Sequence, residues 1–208
     1  MKRLVVTGLV CAMSAAAGGA DDDTRLGKQV EQVLRHSFTT ATPAEWKSRL
    51  DQDEVQALCS LHHNAPPAAV SERIAKLSSA TMRYPEDGKL SGDWKKGEKL
   101  ASLGTGGHIG KIQPDRPGVR RGGNCYACHV LAPDEIDAGN IGPSLAGYGR
   151  RFANSPATAR IVYEKIWNAQ AFLPCTQMPR FGANGWLTPQ EVADTVAFLL
   201  DPESPVNR

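Results

Sequence analysis

The sequence predicts an all-α fold, and three observations support that prediction. Apolar residues recur at helical spacing in several segments, signals that begin helices precede these segments, and no segment shows the alternating pattern of a strand. Prolines and glycines separate the helical segments from one another. We therefore expect helices joined by loops along the chain.

Residues 21–90 are predicted to form a helical N-terminal extension. The expected helices are 44–50, 53–61 and a segment through Val70, Ile74 and Leu77. Thr42 is expected to cap the helix over 44–50, with Pro43 at its first position. Because this part of the chain has few apolar residues, we expect it to pack against the downstream domain rather than to fold separately.

Residues 91–208 are predicted to form a second domain. Its expected helices are 93–103, about 157–169, and a last helix that begins at Thr188-Pro189-Gln190-Glu191. That tetrapeptide is a capping box with proline at the first helical position. In the middle helix, Ile161 and Ile166 are expected to face inward.

Residues 1–20 have the features of a secretory signal peptide. Lys2 and Arg3 give a positive start, an apolar stretch of suitable length follows, and small residues lead up to Ala20. Cleavage is expected after Ala20, with Ala17 as the alternative position. Export places the mature chain in the periplasm, where disulfides persist.

Composition and hydropathy argue against nucleic acid and membrane as partners. The chain has 24 Lys and Arg against 22 Asp and Glu, so loss of Lys2 and Arg3 leaves it formally neutral, which argues against nucleic-acid binding. No apolar run after the leader approaches the length of a membrane span. The bulky Val10 argues against Cys11 as a lipoprotein cysteine, so a soluble protein is expected.

Four cysteines remain in the predicted mature chain: Cys59, Cys125, Cys128 and Cys175. Cys59 and Cys175 form an even pair in an oxidising compartment, which favours a disulfide between them. The alternative is two separate buried thiols, which pack as small apolar side chains.

Residues 125–129 read Cys-Tyr-Ala-Cys-His, the attachment signature of one covalently bound haem c. Cys125 and Cys128 are predicted to form the thioethers, and His129 is predicted to be one axial ligand of the iron. A C-x-x-C pair also occurs in zinc sites, but the chain has no second pair to complete four ligands. A thioredoxin-like redox motif requires a βαβ context, which the pattern does not predict.

Met178 is the leading candidate for the second axial ligand. A thioether suits low-spin iron and raises the reduction potential, and Pro179 stiffens the loop that carries it. The alternatives are a methionine that fills a gap in the core, and His108 as the sixth ligand. The remaining histidines are expected to be solvent-exposed: His36, His62 and His63.

Pro143 lies fourteen residues after His129, and its carbonyl is a candidate acceptor for the outer ring nitrogen of that histidine. The alternative is a simple loop proline. Arginines that flank these motifs are expected either to pair with haem propionates or an acidic partner, or to be solvated. They are Arg120, Arg121, Arg150, Arg151 and Arg180.

The order of these motifs, followed by a C-terminal helix, resembles a class I cytochrome c over residues 92–201. Three stretches look like the SoxX subunit of the SoxAX cytochrome: 123–129, 140–145 and 174–182. The resemblance implies a class I cytochrome c fold for the haem domain, with the extension added to it.

The resemblance also implies a function. SoxAX starts thiosulfate oxidation by joining thiosulfate to a cysteine of the carrier complex SoxYZ, and the family places that chemistry at a haem of SoxA. This chain would then be the electron-transfer subunit of a periplasmic heterodimer with a SoxA-like cytochrome, and it would pass electrons to a soluble cytochrome c. The implied ligands are Cys125, Cys128, His129 and Met178, and no catalytic residue is implied here.

Two other functions stay open at this point. One is a free-standing periplasmic electron shuttle. The other is a haem enzyme such as a peroxidase, which requires a vacant or displaceable sixth ligand.

Overall fold

The computed structural model describes residues 18–39, 41–105, 118–135 and 137–208. Every regular element within these ranges is a helix, which confirms the predicted all-α class. The predicted signal peptide lies outside the described residues except for 18–20, where the first helix begins, and His108 also lies outside them.

Eight α-helices follow one another in this part of the chain: α1 (Gly18–Ser37), α2 (Pro43–Arg49), α3 (Glu54–Leu61), α4 (Ala68–Ser79), α5 (Trp94–Ser102), α6 (Tyr148–Arg151), α7 (Pro156–Trp167) and α8 (Pro189–Leu200). Short 3₁₀ turns cover Cys125–Ala127, Ala169–Ala171 and Pro205–Asn207. The helices predicted at 44–50, 53–61 and 93–103 are confirmed as α2, α3 and α5, while α1 was not predicted.

The start of α8 shows the capping box that the sequence predicts. The Thr188 hydroxyl accepts a hydrogen bond from the Glu191 N–H at 3.3 Å, and the Glu191 carboxylate accepts one from the Thr188 N–H at 2.8 Å. Thr42 and Glu45 repeat the arrangement at α2. Each box satisfies backbone donors that a helix start would otherwise leave without partners.

Helices α5 and α8 cross with their backbones in direct contact. A Cβ added at Gly97 would lie 2.0 Å from the carbonyl oxygen of Asp194, so a residue without a side chain is required at the crossing. Next to it, the N–H of Asp93 donates to the Asp194 carboxylate at 2.9 Å. The N–H of Gly92 donates to the Ala193 carbonyl at 3.0 Å, which ties the start of α5 to the middle of α8.

The main core lies among α5, α7 and α8. The residues that α7 buries in it are Ala159, Val162, Tyr163, Ile166 and Trp167. The prediction that Ile166 faces inward is confirmed, but the prediction for Ile161 is wrong, since its side chain is 45% exposed. Successive helical residues are rotated by about 100°, so the stripe through Val162 and Ile166 turns Ile161 toward solvent.

A smaller core joins the extension to residue 175. It contains Val55, Cys59, Ile74 and Cys175. A disulfide links Cys59 to Cys175 and confirms the predicted pairing. The bond spans 116 residues of sequence, and a crosslink over so long a loop stabilises the fold mainly by restricting the unfolded chain.

Residues 81–84 connect the extension to α7 through three hydrogen bonds. The Trp167 indole N–H donates to the Thr81 carbonyl at 2.9 Å, the Tyr163 hydroxyl donates to the Arg83 carbonyl at 2.8 Å, and the Tyr84 hydroxyl donates to the Glu164 carboxylate at 2.8 Å.

The domain boundary near residue 90 stays a prediction. Among the described residues, no helix combines the length and apolar character of a membrane span.

Replacing Tyr163 with Phe is expected to lower the free energy of unfolding by about 1 kcal/mol at pH 7, because a buried hydrogen bond is lost. Burial, and then the neighbouring Tyr84, raise the pKa of Tyr163 above the ordinary value of 10.0. The neutral Tyr163 hydroxyl therefore contributes its full stabilisation below pH 10.0, the pKa of the unfolded chain. This contribution is lost as the pH rises through the raised pKa of the folded state. The difference between wild type and variant should therefore shrink above about pH 10.

Denaturant titrations across the range from neutral to strongly alkaline pH measure this difference. Tyr126→Phe is the control, since Tyr126 is 36% exposed, and it should follow the wild type at each pH. A gap between Tyr163→Phe and wild type that stays constant with pH would contradict the account.

Candidate functional site

The predicted attachment motif forms a tight 3₁₀ turn. Asn124 precedes it in the left-handed region, with φ of 48°. The N–H groups of Cys128 and His129 both donate to the Cys125 carbonyl, at 3.1 and 2.9 Å. The N–H of Gly123 donates to a carbonyl of α5 at 2.7 Å, so the turn that holds both cysteines and the histidine is attached to the end of that helix.

The two motif cysteines are not joined to any other sulfur. Burial raises the pKa of the Cys125 thiol to about 12, and the nearby Cys128 is the second cause. That thiol is therefore protonated at neutral pH. A Cβ added at Gly123 would lie 3.0 Å from the Cys125 sulfur, so the glycine leaves space beside it. Two unlinked sulfurs at these positions are what thioether attachment requires.

The ring of His129 is fixed by the backbone of residues 142 and 143. Its Nδ1 lies 2.7 Å from the carbonyl oxygen of Pro143, as predicted. A carbonyl can only accept, so Nδ1 carries the proton and Nε2 keeps its lone pair free for a metal. A Cβ added at Gly142 would lie 2.2 Å from Cε1 of His129, so the glycine lets the backbone lie against the ring.

The alternatives for the motif find no support in the described residues. No group of three or more His, Cys, Asp or Glu side chains there is placed to hold a metal ion, so a zinc site lacks its ligands. The same part of the chain contains no strand, so the βαβ context of a thioredoxin-like motif is missing. The donor set and the shape around His129 instead fit a haem held by two thioethers and an imidazole.

Met178 lies in the loop between the Ala169–Ala171 turn and α8. Its side chain is partly buried and packs against the same main core that Cys125 borders. Its N–H donates to the Thr176 hydroxyl at 3.4 Å. The assignment of Met178 as an iron ligand stays a prediction. Met82 also packs against this core, which makes it a suitable control.

The Met178 loop is held at several points that sequence reasoning did not find. Arg180 forms an ion pair with Asp53 of the extension, with Nη1 and Oδ2 2.6 Å apart. A Cβ added at Gly182 would lie 2.2 Å from the ring of Trp167, and Phe181 is buried. Partners so distant in sequence leave no local signal, and only the disulfide was predicted.

The flanking arginines take several roles. Arg180 is engaged by Asp53, and only 12% of its side chain is exposed. Arg151 donates to the Ser144 carbonyl at 2.8 Å, so it braces the loop after Pro143. A cleft of about 280 Å³ lies between residues 119–121 and the start of α8, and both Arg120 and Arg121 line it. Of the histidines expected to be exposed, His36 and His63 are, and His62 is partly buried.

Comparison with known proteins gives two findings. A family model described as "Cytochrome c" matches residues 121–201, a range that includes the attachment turn, Pro143 and Met178. The chain is also 45% identical over 203 residues to an "Uncharacterized lipoprotein" of Aquifex aeolicus (strain VF5), an alignment that covers 94% of this chain and 95% of that protein.

Replacing Gly142 with Ala is expected to displace the His129 ring, because the added methyl occupies the space 2.2 Å from Cε1. We expect a lower yield of haem-loaded protein and an altered spectrum in the fraction that forms, since ring orientation and ligand basicity both change. Haem content per chain and the absorption spectrum measure the effect.

Ser144→Ala is the matched control, since it changes an exposed side chain in the same loop and should leave both quantities at the wild-type level. Equal haem loading in Gly142→Ala and wild type, with identical spectra, would show that the glycine is not needed against the ring.

Proposed function

We propose that this chain is a mono-haem electron-transfer cytochrome and that it works as a subunit of a thiosulfate-oxidising heterodimer. The chain carries a cytochrome c domain and belongs to the same family as the Aquifex lipoprotein. The observation that carries the electron-transfer role is the 2.7 Å bond from His129 Nδ1 to the Pro143 carbonyl. It leaves Nε2 available as an axial ligand, in the same motif as two sulfurs suited to covalent attachment.

In this proposal Cys125 and Cys128 hold the haem covalently, and His129 and Met178 are its axial ligands. A haem with both axial positions filled supplies one-electron exchange and has no open position for substrate. The protein fixes the ligands, shields the group from water and sets its potential. The sequence contains one C-x-x-C-H motif, which supports a single haem.

The resemblance of residues 123–129, 140–145 and 174–182 to SoxX supports the narrower role. A SoxA-like cytochrome would join thiosulfate to a SoxYZ-like carrier, and this chain would take the released electrons and pass them to a soluble cytochrome c. No residue of this chain is then catalytic. The third stretch includes Cys175 and Arg180, both of which contact the extension, so the resemblance falls on residues with a structural task.

We also propose that the mature protein is exported to the periplasm. The features of residues 1–20 support this location. The name of the Aquifex relative adds lipid attachment at Cys11 as a second candidate, although Val10 is bulky for that processing. Mass measurement of the mature N-terminus distinguishes cleavage near Ala20 from a lipid on Cys11.

Replacing Met178 with Ala is expected to remove the absorption band that marks the iron–thioether bond. The midpoint potential should fall by a substantial part of the roughly 0.8 V range that axial ligands set, because thioether ligation favours the reduced iron. Met82→Ala is the control and should keep both band and potential. An unaltered spectrum and midpoint in Met178→Ala would overturn the ligand assignment.

The heterodimer is tested by purification from the native cell. We expect a second haem subunit to co-purify, and thiosulfate to reduce the haem of this chain only when that subunit and the carrier are both present. Isolation as a single chain that a soluble cytochrome reduces directly would favour the free-standing shuttle. Rapid turnover of peroxide by the isolated chain would favour the enzyme.

A further inference from the structure

We propose that α3 of the N-terminal extension acts as a clamp on the Met178 loop, with Asp53 and Cys59 as positioning residues for the axial thioether. The inference rests on the proposed function, because it takes Met178 as an iron ligand. It assigns to the extension a task that the attachment motif does not reveal.

The first attachment lies three residues before Met178. Cys175 is joined to Cys59 of α3 by the disulfide, and both residues are buried in the smaller core with Val55 and Ile74. Cys175 has φ of 61°, in the left-handed region, where residues other than glycine are uncommon. Its sulfur is therefore fixed on a sharp bend at the entrance of the loop.

The second attachment lies two residues after Met178. Arg180 donates from Nη1 to Oδ2 of Asp53 at 2.6 Å. The other oxygen of the same carboxylate caps α3 by accepting the Gln56 N–H at 2.9 Å. One carboxylate thus joins the start of the helix to the exit of the loop. The Arg180 side chain is 12% exposed and that of Asp53 is 50% exposed, so solvent screens the pair only partly.

Both attachments therefore come from one short helix and enclose the segment that carries the thioether. A loop held at both ends has fewer open conformations, so less entropy is gained when its sulfur leaves the iron. The clamp should thus lower the fraction of molecules in which the sixth position is open. An added imidazole binds only that open fraction, so its apparent affinity reports on the clamp.

Asp53→Asn tests the clamp in the haem-loaded protein. Asparagine caps a helix as well as aspartate does, so α3 should persist while the charge facing Arg180 is removed. We expect the apparent affinity for imidazole to rise about fivefold, as for loss of one partly exposed charge-assisted contact. The iron–thioether band should disappear at a lower temperature than in wild type.

Glu54→Gln is the matched control. Glu54 is the next residue of the same helix, and its carboxylate pairs with Arg73 of α4 rather than with the loop. This variant removes an ion pair of the extension without touching the residues around Met178. Its imidazole affinity and band should equal those of the wild type, which separates positioning of the thioether from general stability of the extension.

The double variant Cys59→Ser, Cys175→Ser removes the other attachment and should raise the imidazole affinity by at least as much. If that variant does not fold, Asp53→Asn decides alone. Wild-type imidazole affinity and band in folded Asp53→Asn would overturn the clamp, as would an equal change in Glu54→Gln. Met178→Ala is measured alongside, and an unchanged spectrum there would instead refute the proposed ligand set, whatever the clamp variants do.

Discussion

The crossing of α5 and α8 is the constraint on which the rest of the domain depends. The Gly97 backbone contacts the Asp194 carbonyl, so the two helices lie closer together than any side chain at position 97 would allow. The end of α5 then accepts the N–H of Gly123 and positions the attachment turn. The turn that follows α8 holds the loop after Pro143, because the N–H of Gly147 donates to the Val206 carbonyl at 2.6 Å. The segments before and after His129 are thereby attached to α5 and to the turn that follows α8.

The two proposed axial ligands are held by different parts of the chain. His129 is oriented by neighbours within the haem domain, through Gly142 and Pro143. The Met178 loop is joined to the extension by a disulfide and an ion pair. If Met178 ligates the iron as proposed, its bond can change in strength without disturbing the bond from His129, because the two ligands are held separately. This division gives the extension a physical reason to be present in an electron-transfer protein.

Apart from the disulfide, which the count of cysteines indicated, sequence reasoning succeeded where the partners lie close together along the chain. The capping box at Thr188 and the contact between His129 and Pro143 are both local, and both were predicted. It failed at Ile161, because a helix with apolar residues on more than one face does not state which face the neighbours will cover. It also missed the pair of Asp53 and Arg180, since a charged residue in a loop gives no indication of a partner 127 residues away.

The sequence by itself predicted the chemistry of the site: a haem-attachment motif, its histidine, a candidate methionine for the iron and the two cysteines that pair. The haem motif follows from residue type and close spacing, and the cysteine pair follows from the even number of cysteines left in an oxidising compartment. Only the tertiary structure decided that an ion pair joins the predicted disulfide in holding the methionine loop, with the largely buried Arg180 guanidinium against the carboxylate that caps α3. Such contacts depend on how distant segments pack, and packing is settled by the shape of the whole core rather than by any local pattern.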